Sequence, residues 1–459
     1  MNDHFDAIVI GAGQAGPSLA ARLSKAGMRV AVIERNLLGG TCVNTGCMPT
    51  KTLVASAYAA HIARRASDFG IVIDGEIRVD FTRVQARARE VTVNARNNLQ
   101  KWLDGMQGCE LIHGHARFES PTSIRVGDRL LTGQKIFINV GARAAVPALD
   151  GVQSVPTLNN SSILELSTLP EHLVVIGGSY IGLEYAQMYR RFGARVTIVE
   201  KSAHLVSRED TDVSEAIEQF LVKEGIAIRT HAECIRLAPH KNGVTVGVNC
   251  RSGEPEVVGS HALLAVGRRP NTQDLGLSEA GVRIDSRGYI EVDDSLATNV
   301  PGIWALGDCN GRGAFTHTSY NDFEIVAANL LESANRRVSD RIQAYALYTD
   351  PPLGRVGMTL AQARATKRPL LVGTRPMTRV GRAIEKSETH GLMRVIVDAQ
   401  SHKILGATIL GPGGDEAIHG IIDMMNADAA YPLLQWSVPI HPTVSELIPT
   451  LLNELELIE

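Results

Sequence analysis

One pattern of apolar and polar positions occurs twice in the chain. The apolar run Phe5-Asp6-Ala7-Ile8-Val9-Ile10 leads into Gly11-Ala12-Gly13-Gln14-Ala15-Gly16, then a stretch with helical spacing, then Arg29-Val30-Ala31-Val32-Ile33-Glu34. Leu173-Val174-Val175-Ile176 leads into Gly177-Gly178-Ser179-Tyr180-Ile181-Gly182, a second helical stretch, and Arg195-Val196-Thr197-Ile198-Val199-Glu200. Gly11 and Glu34 are as far apart in sequence as Gly177 and Glu200. Each copy predicts strand, tight turn, helix, strand: a βαβ nucleotide-binding unit. In the first copy, Gly11 permits the turn, Gly13 lets backbone approach a pyrophosphate, and Gly16 permits close helix packing. The helix N-terminus favours phosphate charge, and Glu34 can accept hydrogen bonds from ribose hydroxyls.

The second copy departs at Ser179, where the central glycine is expected. A serine β-carbon crowds a pyrophosphate, whereas its hydroxyl can bond one, and both readings stay open. Glu200 repels a 2′-phosphate and so favours NADH over NADPH. Lys201 and Arg208 lie close by and oppose that preference.

Elsewhere the pattern changes character. The stretch from Phe81 to Met106 predicts a long polar helix, and Cys109 to Val140 is strand-rich. Thr298 to Asp308 reads as a turn, a buried strand and another glycine turn. Val395-Ile396-Val397-Asp398 and Ile404 to Leu410 predict a hairpin, and a helix-rich tail follows. These shifts place boundaries near 150, 270 and 340.

Composition narrows the function classes. A chain of 459 residues exceeds one ordinary core. Its 44% hydrophobic and 21% charged content is that of a globular protein. A net charge of -3 and 5% aromatic content argue against a nucleic-acid partner. No apolar run reaches the length of a membrane span. A strand-like run beginning at Phe5 leaves no room for a leader, so a cytoplasmic location is expected. In a reducing compartment, two close cysteines are catalytic or metal-binding rather than structural.

Such a pair stands in Gly39-Gly40-Thr41-Cys42-Val43-Asn44-Thr45-Gly46-Cys47-Met48-Pro49-Thr50-Lys51. A disulfide needs its α-carbons within about 7 Å. Five residues of regular helix rise about 7.5 Å and turn the side chains about 140° apart. The segment is therefore expected to be irregular, with Gly46 permitting the break. Pro49 suits the first turn of a following helix, which places Cys47 at that helix's N-terminus. A helix end contributes up to about 2 kcal/mol, enough to bring a thiol of pKa about 8.5 close to neutrality. A zinc site needs two further ligands at matching spacing, and no second Cys or His cluster stands near. Cys109, Cys234, Cys250 and Cys309 are isolated and read as packing residues.

His441-Pro442-Thr443-Val444-Ser445-Glu446 reads as a histidine opening a helix start, with a carboxylate one turn on. A carboxylate bonded to one ring nitrogen fixes the tautomer and raises the basicity of the other. Beside a cysteine pair, that dyad reads as a catalytic base. The other histidines, among them His61, His113, His115 and His317, read as packing or surface residues.

Together the two glycine turns, the Cys42–Lys51 segment and the His441–Glu446 segment resemble the class I pyridine nucleotide-disulfide oxidoreductases. That family includes dihydrolipoamide dehydrogenase, glutathione reductase and mercuric reductase. The resemblance covers nearly the whole chain. It implies an α/β fold with two Rossmann-like domains and an α+β C-terminal domain. The FAD-binding domain would span 1–150 and the NAD(P)H-binding domain 151–270. A central domain over 271–340 would complete the FAD site, and a dimerisation domain would span 341–459. By similarity, Gly11, Gly13, Gly16 and Glu34 hold the ADP half of FAD. Asp308 holds the ribityl chain, and Thr41, Ala116 and Gly141 stand at flavin-contact positions. Lys51 and Glu184 match an ion pair beside the flavin. Gly177, Gly182, Glu200 and Gly267 fall in the NAD(P)H site, and Tyr180 matches the residue that covers the flavin where nicotinamide enters. Cys42 matches the thiol that meets substrate and Cys47 the thiol that contacts the flavin. His441, held by Glu446, matches a base that serves Cys42 across a homodimer.

The resemblance implies electron transfer from NADH or NADPH through FAD to a Cys42–Cys47 disulfide, and on to a small-molecule disulfide or from a dithiol. The Cys-Val-Asn-x-Gly-Cys and Phe315-Thr316-His317-Thr318-Ser319 stretches resemble mercuric-reductase-like proteins and the copper(II) reductase of reactive-chlorine resistance. A Cu(II) or Hg(II) reductase is therefore a second reading. Against mercury, the chain ends Leu451-Leu452-Asn453-Glu454-Leu455-Glu456-Leu457-Ile458-Glu459 and lacks a terminal cysteine pair. A flavin-bound redox sensor without turnover, motivated by Ser179, is a third. No resident metal site is expected.

Overall fold

The computed structural model describes residues 2–249 and 253–458. Cys250 lies outside them, as does the side chain of Cys234. The chain folds as the mixed α/β architecture expected.

The first sheet grows around the strand Asn2–Ile10. It runs parallel to Val30–Glu34 on one side and Arg129–Ile138 on the other, and Val30–Glu34 pairs in parallel with Cys109–His113. Ile8 and Ile10 enter one core and Ala7 and Val9 another, because alternate side chains point to opposite faces. Both faces are covered, which is why the strand reads as an apolar run. The long strand Arg129–Ile138 serves two neighbours on one edge. Its first half pairs antiparallel with Ser123–Val126, and its second half pairs in parallel with Ile303–Ala305. Ile10, Glu34, Ile138 and Ala305 thus all end on the carboxyl side of the parallel strands, where crevices of such sheets form.

A second, four-stranded parallel sheet has the order Ala227–Arg229, Arg195–Val199, His172–Ile176, His261–Leu264. A three-stranded antiparallel sheet of Glu233–His240, Gly243–Asn249 and Glu256–Gly259 accompanies it. The third large sheet is antiparallel throughout. Its order is Ala344–Leu347, Leu353–Gly357, Ile404–Leu410, Leu392–Asp398, Leu370–Pro376, Glu456–Ile458. The expected hairpin of Val395–Asp398 with Ile404–Leu410 lies at its centre.

The helix Phe81–Asp104 forms as expected, with Asp80 Oδ1 accepting from the Arg83 amide at 3.0 Å. Two expectations need correction. The helical tail ends in a strand, Glu456–Ile458, which pairs with Leu370–Pro376. His441 does not open a helix: the peptide before Pro442 is cis, and the helix begins only at Leu447, with Glu446 as its N-cap. Proline removes an amide donor and limits its neighbour's backbone, so the dyad forms in irregular chain instead.

Candidate active site

Both glycine turns form, and they share a geometry. Gly11 has φ +107°, and a β-carbon there would stand 2.3 Å from the Asn139 carbonyl oxygen. At Gly177 φ is +115°, and a β-carbon would stand 2.4 Å from the Ala265 carbonyl oxygen. Gly16 and Gly182 pack so closely on the carbonyls of Gly11 and Gly177 that a β-carbon would come within 2.2 and 2.0 Å. A β-carbon at Gly13 would meet no protein atom closer than 3.5 Å. The room at Gly13 therefore opens towards a ligand rather than serving the fold. Ser179, its counterpart, has φ -114° and N-caps the helix Tyr180–Phe192 without a side-chain bond. The helix Gly16–Lys25 likewise begins without a side-chain cap, leaving backbone donors for an anion.

The two glutamates are held alike. Glu34 accepts from the amides of Ala12 at 2.9 Å and Asn36 at 2.8 Å. Glu200 accepts from Gly178 at 2.6 Å and Ser202 at 2.7 Å. Each carboxylate is thereby fixed across the mouth of its turn.

Between the turns lies one continuous cavity of about 1920 Å³, larger than the roughly 300–1,000 Å³ of an ordinary small-molecule site. Its walls include Gly11, Gly13, Glu34, Thr41, Cys42, Cys47, Lys51, Ala116, Gly141 and Asp308 at one end. Glu184 lines the cavity beside Lys51, and Gly177, Tyr180, Glu200 and Gly267 line it near the second turn. Gly16 and Gly182 support the turns from behind. The unobstructed cradle at Gly13 and the uncapped helix end above it fit a dinucleotide such as FAD.

The cysteine segment breaks at Gly46 as expected. One helix spans Gly40–Thr45 and the next Cys47–Arg64. A β-carbon at Gly46 would come within 2.8 Å of the Thr41 carbonyl oxygen, so glycine is needed where the helices meet. Cys47 opens the second helix, and the Cys42 thiol hydrogen-bonds to it. That hydrogen bond, the Thr316 hydroxyl 3.2 Å from Cys47 Sγ and the Lys51 charge together outweigh burial. They bring the Cys47 thiol down to about 6. Cys42 moves the opposite way, raised first by its bond to Cys47 and then by burial. The opposite shifts favour the thiolate on Cys47 and the proton on Cys42 in the reduced pair. A difference titration of thiolate absorbance between reduced wild type and C47S, both freed of FAD, should show a step near pH 6. A step only above about pH 8 would contradict this arrangement.

Lys51 Nζ donates to Glu184 Oε2 at 2.7 Å and lies 4.5 Å from the centre of the Tyr348 ring. Glu184 also accepts from the Tyr348 amide at 3.1 Å. The Lys51 ammonium is thus held one helical turn beyond Cys47. Asp308 is pushed up by burial and pulled back by Arg268, whose Nε donates to Oδ2 at 3.1 Å. Arg268 Nη2 also reaches Thr41 Oγ1 at 3.3 Å.

The structure does not bring His441 to the cysteines of its own chain. His441 Nδ1 lies 2.8 Å from Glu446 Oε2, but the histidine is 82% exposed and outside the cavity. It shares that face with Trp436, Val438 and Ile440, exposed by 78%, 95% and 80%.

Sequence reasoning missed Thr316, Arg268 and Tyr345. It also set aside His115 and His317, which line the cavity; His317 Nε2 is bonded to the Ala344 carbonyl at 2.7 Å. Cys309 is buried, as a packing residue should be. Among the described residues no three His, Cys, Asp or Glu converge as a metal-ligand set. No helix among them is long and apolar enough to cross a membrane.

Comparison with known proteins fits this geometry. Residues 5–322 match the family model for pyridine nucleotide-disulphide oxidoreductase. Residues 343–452 match the dimerisation domain of the same family. The chain belongs to the pyridine nucleotide-disulphide oxidoreductase family. It is an oxidoreductase, and membership carries FAD and a nicotinamide nucleotide as cofactors. The probable pyridine nucleotide-disulfide oxidoreductase RclA of Escherichia coli (strain K12) is 36% identical over 457 residues, 98% of this chain and 99% of the relative. A mercuric reductase of Streptomyces lividans is 32% identical over 419 residues, 90% of this chain and 88% of the relative. Among solved structures, the Cu(II) complex of the HOCl-induced flavoprotein disulfide reductase RclA from Escherichia coli superposes with a TM-score of 0.89. Its identity is 36%, and 99% of each chain is covered.

Proposed function

We propose that the chain passes electrons from a nicotinamide nucleotide, through FAD, to a Cys42–Cys47 disulfide and then to a small-molecule disulfide. The observation that carries this is the thiol pair with its Lys51–Glu184 ion pair, standing between two dinucleotide cradles in one cavity. When bound, FAD supplies the two-electron exchange between nicotinamide and sulfur. The glycine turn at Gly11–Gly16 and Glu34 would hold its ADP half and Asp308 its ribityl chain, with Thr41, Ala116 and Gly141 at flavin-contact positions. Lys51 offsets negative charge next to Cys47. In the reduced pair Cys42 is the outer nucleophile. His441 of the partner subunit takes the Cys42 proton, and the Cys42 thiolate attacks one substrate sulfur. The substrate's other half leaves as a thiolate and takes up that proton. Cys47 then attacks Cys42, releasing the second half and restoring the disulfide. Glu446 holds the imidazole tautomer that leaves Nε2 free for this work. The active unit is accordingly a homodimer, with domains over 1–150, 151–270, 271–340 and 341–459.

The proposed nucleotide is NADH. Both oxygens of Glu200 are committed to backbone amides, so the carboxylate stays where a 2′-phosphate would come. Like-charge apposition costs several kcal/mol. NADH should be preferred over NADPH by about tenfold or more in kcat/KM, and E200Q should shrink that ratio. An NADPH preference in wild type would assign the decision to Lys201 and Arg208, which line the same cavity.

A second reading, Cu(II) or Hg(II) reduction at Cys42, is favoured by the Cu(II) complex solved for the Escherichia coli relative. The deciding experiment follows NADH oxidation with lipoamide, glutathione disulfide, quinones, Cu(II) and Hg(II). Turnover with a disulfide supports the first reading, and turnover with metals alone supports the second. Steady turnover with any acceptor removes the sensor.

A further inference from the structure

Tyr180 and Tyr345 are neighbours held in different ways. The Tyr180 ring is met edge-on by Tyr345, with centroids 5.4 Å apart, and by Phe315 at 6.2 Å. Tyr345 and Phe315 stack on each other at 5.6 Å and 13°. All three line the cavity. The Tyr345 hydroxyl donates to Glu209 Oε1 at 2.5 Å. Glu209 is buried, and its other oxygen lies 3.9 Å from Nη1 of the fully buried Arg355. The Tyr180 hydroxyl is also buried, yet it has no hydrogen-bond partner among the described residues. One tyrosine is therefore anchored to a carboxylate, while the other rests on its neighbours Tyr345 and Phe315.

We infer that Tyr345, fixed by Glu209, is a positioning residue that seats Tyr180 in its closed position over the nicotinamide entrance and so sets dinucleotide affinity. The inference rests on the proposed function, in which Tyr180 covers that entrance. It adds a seat supplied by the strand Ala344–Leu347, from the part of the chain that matches the dimerisation domain. Glu209 reaches it from the turn before the helix Thr211–Lys223. Burial first, and the Glu209 charge second, push the Tyr345 phenol up, so it remains the donor. A dinucleotide can enter only when Tyr180 leaves the closed position, so apparent affinity scales with the open fraction. Weakening the seat raises that fraction, and binding becomes tighter rather than weaker. A merely structural role would not give that sign.

The test is calorimetric titration of FAD-loaded protein with NAD⁺, which binds without turnover. Iodide quenching of flavin fluorescence is read in parallel. Y345L removes the aromatic edge and should bind NAD⁺ tighter by about two- to tenfold, the range of one aromatic pair. Its flavin should also be more accessible to iodide. Y345F keeps the ring but loses the anchor and should shift in the same direction by less. E209Q replaces a charge-assisted hydrogen bond with a weaker neutral one and should tighten NAD⁺ binding by no more than Y345F does. FAD content and melting temperature establish that each variant is folded. Affinity in Y345L equal to or below wild type overturns the seat. A Y345F variant indistinguishable from wild type overturns the part assigned to Glu209. A wild-type protein that neither binds NAD⁺ nor is bleached by NADH removes the proposed function, which distinguishes the two failures.

Discussion

A Cys42→Ser variant should lose acceptor reduction by about 10³-fold or more, while NADH still bleaches its flavin at close to the wild-type rate. The two half-reactions separate because different side chains carry them. In the proposed function Tyr180, Glu184 and Lys51 serve the nucleotide and flavin half, and the change leaves them in place. Cys42 is the thiol whose loss leaves no disulfide to open and no nucleophile for the acceptor. Serine matches its size but is a far weaker nucleophile at neutral pH. Stopped-flow bleaching with NADH, followed by steady-state turnover with each acceptor, measures both halves. Retained turnover with a given acceptor would mean that electrons reach it without sulfur.

His441→Ala should slow disulfide turnover by about 10²- to 10⁴-fold, the usual range for a lost acid–base group. Flavin bleaching should again be unaffected. The need for a base follows from the thiols themselves. Cys42 is raised because its proton is shared towards Cys47 and because it is buried. It therefore does not ionise unaided at neutral pH. Glu446→Gln keeps a partner for Nδ1 but removes the charge that supports the imidazolium, so its loss should be smaller, about 10- to 100-fold. Comparable slowing of both half-reactions in H441A would assign the histidine to the fold or to assembly rather than to sulfur chemistry.

Local rules made part of this site legible. Gly11, Gly16, Gly177 and Gly182 announce turns that only glycine fits, because the obstructing atoms lie in the same turn or on the adjacent strand end. The break at Gly46 follows from helix geometry and the spacing of Cys42 and Cys47. What the sequence hid are contacts between distant segments. Thr316 meets Cys47 across 269 positions, and Arg268 meets Thr41 across 227. No periodicity links such residues; they meet because Ile303–Ala305 and Arg268–Pro270 add to sheets begun much earlier. The misplaced helix start at His441 has another cause. Proline near a helix start usually marks the first turn, and here the turn began five residues later. The strand Glu456–Ile458 is too short for alternation to reveal it.

The outward-facing His441 has a genetic consequence. If each centre borrows its imidazole from the opposite subunit, C42S and H441A damage different halves of a shared workplace. Hybrid molecules made by coexpressing the two would hold one centre with both lesions and one with neither. Two alleles that are each inert alone would then complement in the same cell, and a hybrid molecule would work at half the rate of the normal pair.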